Sequence, residues 1–137
     1  MHIIGRLTLM IACLAWPVAT AAQTQIDDLR GGWRQVESNA GRSPTCRISI
    51  VQTMDGFIVA ANNGWTATIK QRSDRDGVTA IGQGRWTVQR DSIVEQKMLE
   101  CRFVLRGDRL YLTMTMTGTN GPRQIVRVVF ERPAYGA

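Results

Sequence analysis

Beyond residue 30, apolar and polar side chains trade places every second residue, the period of a strand with one buried face. Cys46, Ile48 and Ile50 alternate with Arg47 and Ser49, and Leu110, Leu112, Met114 and Met116 alternate with Tyr111, Thr113 and Thr115. Cys101, Phe103 and Leu105 share one face, and the last run, residues 124–132, can place Val126, Val128 and Phe130 inward. Turn formers stand between the runs. Asp55-Gly56 and Asn63-Gly64 tolerate the positive φ of tight hairpins and bracket residues 57–61 and 65–71. Residues 73–77, Gly82 to Gly84, Asp91-Ser92, Gly107-Asp108 and Asn120-Gly121-Pro122 read as further breaks. Residues 78–81, 85–89, 93–98 and 101–105 then stand as short separate strands. With residues 32–36 as the first, the pattern gives eight or nine strands and no amphipathic helix. It predicts an all-β fold, a single antiparallel up-and-down β-barrel of about eight strands.

The first 22 residues follow a different rule. A short basic start with Arg6, an apolar run from Leu7 to Trp16, the helix-ending Pro17 and a small-residue stretch to Ala22 make the pattern of a secretory signal peptide. The apolar run is about half the roughly 20 residues that a spanning helix needs, so no transmembrane segment is expected. Cleavage after Ala21 or after Ala22 both satisfy the small-residue requirement. The expected mature chain, residues 23–137, is one domain, exported to the periplasm or secreted.

Removing the leader changes the chemistry available. His2 and Cys13 leave with it, so the mature chain has no histidine, and catalytic triads and imidazole metal ligands go too. No catalytic residue, metal ligand or cofactor site is therefore assigned. Glu95 and Glu100 could be paired for acid-base work, but surface charge is the plainer reading. Met114 and Met116 read as a core face rather than a metal-binding pair. Two cysteines remain, Cys46 and Cys101. In an exported domain an even pair predicts a disulfide, which across so long a loop would contribute about 4 kcal/mol in the chain-entropy model; two buried free thiols are the alternative.

The mature chain keeps sixteen basic residues, fourteen of them arginine, against eleven acidic ones. Arginine suits phosphate and carboxylate partners. The arginines are scattered, with no basic run, and export argues further against nucleic acid as the partner.

The two ends of the β pattern carry a resemblance. Gly31 and Trp33 resemble the Gly-x-Trp opening of the lipocalin and avidin-like barrels, the calycin group. A terminal arginine, Arg132 or alternatively Arg127, is similar to the end-strand arginine that packs over that tryptophan. The resemblance implies that Gly31, Trp33 and Arg132 close one end of the barrel, the indole stacked under the guanidinium. The Thr-Asp-Tyr triplet of true lipocalins is absent, and no set of Trp, Ser and Tyr maps onto a biotin site. The plan also resembles the small periplasmic barrels that inhibit bacterial metalloproteases through an N-terminal arm, here residues 22–28.

Trp65 and Trp86 open their strands, where they could line a ligand cavity or simply fill the core. Taken together, the expectation is a non-enzymatic, lipocalin-like binding protein for a small apolar ligand or envelope component. The alternative is a protein-interaction module such as a periplasmic protease inhibitor. Oligomeric state is not legible.

Overall fold

The computed structural model describes residues 28–41, 43, 45–74, 77–118 and 121–134. The expected signal peptide, with its cleavage site at Ala21 or Ala22, lies outside the described residues.

Eight strands follow one another as β1 Gly31–Ser38, β2 Arg47–Gln52, β3 Phe57–Ala61, β4 Trp65–Asp74, β5 Gly77–Arg90, β6 Ile93–Arg106, β7 Arg109–Thr117 and β8 Gln124–Glu131. Each pairs antiparallel with the next, and β1 pairs with β8, so the sheet closes into an up-and-down barrel with no free edge. The chain is all-β, as the alternation implied. Among the described residues no helix is long and apolar enough to cross a membrane.

Alternation decides what faces inward. Trp33, Ile48, Ile50, Val59, Ile69, Leu99, Phe103, Leu110 and Leu112 are all buried and belong to one continuous core. Their strand neighbours, such as Arg47, Ser49, Thr68, Arg102 and Thr113, point outward and are exposed.

Two expected breaks do not exist. Residues 78–81 and 85–89 form one strand, β5, which runs straight through Gly82 and Gly84, and residues 93–98 and 101–105 likewise form one strand, β6. The glycines mark a fold in the sheet instead of a loop. A Cβ on Gly82 would lie 1.8 Å from the carbonyl oxygen of Thr68, and one on Gly84 would lie 2.0 Å from that of Thr66. Here β5 bends so sharply that β4 and β6 approach one another across it. Only residues without a side chain permit that corner.

The expected disulfide is also absent: Cys46 and Cys101 are separate buried thiols. Cys46 leads into β2 and Cys101 sits in β6, and three strands separate β2 from β6 in either direction around the barrel. A disulfide needs Cα atoms within about 7 Å, which is less than two strand spacings. The pair stands on opposite walls.

Candidate functional site: one closed end and one open end

Strand starts and ends divide the barrel. One end holds the start of β1, the end of β8 and the β2–β3, β4–β5 and β6–β7 turns; the other holds the β1–β2, β3–β4, β5–β6 and β7–β8 connections.

At the first end the chain enters at Asp28, Leu29 and Arg30. Trp33 is buried, and its indole Nε1 donates to the Leu29 carbonyl at 2.9 Å. The Arg132 guanidinium lies over the indole ring, 3.8 Å from its centroid. Its two terminal nitrogens donate to the Arg30 and Asp28 carbonyls, each at 2.5 Å. Three consecutive backbone carbonyls, at 28, 29 and 30, thus take a hydrogen bond from the stack. Partial burial pulls the Arg132 pKa down, although the Asp28 charge opposes that shift. Asp28 itself pairs with Arg30, and that hydrogen bond holds its carboxyl below the usual carboxylate range.

Gly31 is required twice over. Its φ is +106°, a backbone region that side chains disfavour, and a Cβ there would stand 2.8 Å from an Arg132 nitrogen. Gly31, Trp33 and Arg132 therefore meet at one point. Arg127 does not join them. It lies on the outer face of β8, its backbone N–H donating to the Asn39 side chain at 2.8 Å.

The opposite end is hollow. A cavity of about 340 Å³ opens between the β1–β2 connection and the β5–β6 hairpin, lined by Trp65, Trp86, Met114, Met116, Val126 and Val128 among others. Trp65 and Trp86 face each other across β4 and β5. Trp65 is buried and Trp86 half-buried, its indole N–H donating to the Asn63 carbonyl at 3.0 Å. The mouth is polar, with Gln35, Ser38, Ser43, Asn63 and Gln124 around it, and Lys97 supplies a charged group.

Several lining residues carried no signal of their own in the sequence. Lys97 joins the cavity because β6 continues past Met98, in register with Trp86. Cys46 also lines it, and burial raises its thiol pKa; Cys101 lies deeper, its thiol pushed up to about 12 by burial. Burial thus favours the protonated thiol at both positions, more strongly at Cys101.

Glu95 and Glu100 stand five positions apart on β6 and face opposite sides of the sheet, so they cannot act on one substrate. Among the described residues no cluster of three or more His, Cys, Asp or Glu side chains could hold a metal ion. Of the arm at residues 22–28, only Asp28 is described, and it is tied down in the Trp33–Arg132 stack.

No protein-family model matches the chain, and neither does any curated protein or any solved structure. What stands is the architecture, a closed eight-stranded antiparallel barrel compatible with the calycin plan, stacked shut at one end and hollow at the other.

Proposed function

We propose that this protein is an exported, lipocalin-like binding protein that takes a small apolar ligand, or the apolar part of an envelope component, into the open end of its barrel. The supporting observation is the cavity beside Trp65 and Trp86. Its volume of about 340 Å³ falls at the lower end of the roughly 300–1,000 Å³ common to small-molecule sites. Its walls are indole, thioether and branched aliphatic, and its polar groups gather at the mouth, the division that suits an apolar body with a wetted end. The role is binding without catalysis or cofactor, and export follows from the leader pattern of residues 1–22.

Titration with decanol, followed by tryptophan fluorescence, tests the reading. Saturable one-to-one binding is expected, and Val126→Phe, which fills the cavity, should abolish it. No saturation, or equal binding by the filled variant, counts against a ligand site here.

One feature favours the second reading, a protein-interaction module. β5 and β6 outrun their neighbours: β4 pairs only as far as Trp86 and β7 only as far as Met98. The hairpin tip therefore projects beyond the barrel, and Ile93 and Val94 on it are 69% and 60% exposed. Pull-down from cell envelope with wild type and with Ile93→Asp/Val94→Asp separates the two. A protein captured only by wild type supports this second reading.

A further inference from the structure

A second concavity is larger than the interior cavity. A groove of about 710 Å³ runs along the outer wall over β4, β5, β6 and β7. Three cations line it, Lys70, Arg72 and Arg102, with one anion, Glu100. Register builds this cluster from residues that are scattered in the sequence. Lys70 pairs with Ile81, Ile81 with Arg102 and Arg102 with Thr113, so four strands contribute one continuous row. Arg127 extends the row onto β8. Lys70 and Arg102 thus flank Ile81 from the two neighbouring strands.

The ion pairs found among the described residues are Asp28–Arg30 and Arg109–Glu131, and neither involves the groove. Lys70, Arg72 and Arg102 are all exposed. Three cations gathered against a single counter-charge, Glu100, raise the local potential, and a trough focuses it.

We propose that this groove binds an acidic polysaccharide, a linear glycan that carries carboxylates. Arginine guanidinium groups pair with carboxylates through two parallel hydrogen bonds. Beside the cations, Gln83, Thr113 and Thr115 offer neutral hydrogen-bonding groups to sugar hydroxyls, and the half-buried Ile81, between Lys70 and Arg102, offers an apolar floor to a sugar ring face. A nucleic acid is a poorer fit, because among the described residues no aromatic side chain lines the groove to stack a base. A flat lipid surface is poorer still, since the cations lie along a recess in a curved wall. The site is on the opposite side of the sheet from the interior cavity and does not depend on that cavity's having a ligand.

Binding of full-length mature protein to polygalacturonate at physiological ionic strength tests the proposal, with neutral dextran, phosphatidylglycerol vesicles and a thymidine oligonucleotide as competitors. Polygalacturonate should bind best. Arg72→Gln/Arg102→Gln should weaken it about tenfold, while Arg47→Gln/Arg123→Gln, which removes the same charge outside the groove, should change it less than about twofold. Glu100→Gln should tighten binding, an effect that a misfolded variant cannot produce. Equal losses in the two double variants, no tightening with Glu100→Gln, or preference for dextran, vesicles or the oligonucleotide overturns it.

Discussion

The two ends of this barrel are built from the same kind of residue and do opposite things. Each has a tryptophan with its indole N–H bonded to a backbone carbonyl. At Trp33 a guanidinium covers the ring and the entering chain wraps it, leaving the side chain fully buried. At Trp86 no guanidinium covers the ring among the described residues, and the ring borders an open cavity. An aromatic at a barrel end is therefore neither a plug nor a binding wall by itself. The presence of a second element to cap it makes the difference, and here that element is the chain before β1 together with the residue that follows β8.

The largest test of this contrast is truncation. Trp33→Ala should destabilise the fold by about 3–5 kcal/mol in chemical denaturation, as expected for deleting a fully packed indole. Trp86→Ala should cost clearly less, about 1–2 kcal/mol, because the ring already faces empty space. Equal losses would erase the distinction between the ends.

The two thiols sharpen it. Cys101 keeps its proton up to about 12 in the native state, whereas an unfolded thiol ionises near 9.0. A raised native pKa gives stability that is complete below the unfolded value and drains away as pH climbs from about 9 toward 12. The loss should reach up to about 4 kcal/mol, and Cys101→Ala should remove that part of the alkaline slope. Alkylation under native conditions at neutral pH should reach Cys46, through the cavity, faster than Cys101. After denaturation without reductant both should react, and mass spectrometry showing neither modified would restore a disulfide.

Gly84→Ala probes the wall between the ends. The added methyl meets backbone of β4 that cannot rotate away, so a loss of about 3 kcal/mol is expected, the upper part of the range for overpacking. A neutral result would mean that the corner in β5 relaxes freely. The smallest effect belongs to Asp28. Its carboxyl is held low by Arg30, so its contribution is present above about 3.8 and fades as pH falls below that. Asp28→Asn should flatten a slight acid-side decline in melting temperature and leave cavity binding unchanged.

Much of this was legible along the chain. Alternation at β2, β7 and β8 placed the core face residue by residue, because a strand buried on one side enforces a period of two. Gly31 and Trp33 signalled an end of the barrel through their position at the start of the first strand. The reading failed where a residue's meaning depends on what lies across the sheet. Gly82 and Gly84 looked like a break, since nothing local distinguishes a glycine that ends a strand from one that lets two backbones touch. Cys46 and Cys101 looked like partners, since counting cysteines says nothing about which wall each occupies.

The sequence alone thus determined the all-β class, the inward and outward faces, and most of the short-range turns, all consequences of local backbone preference and side-chain periodicity. Tertiary structure decided the rest: which arginine stacks on Trp33, that the thiols stand apart, that one end is hollow, and that Lys70, Arg72 and Arg102 form a single groove. Each of those depends on register between strands distant in the chain. Register is fixed only when the whole sheet closes on itself and every inward face must be packed at once.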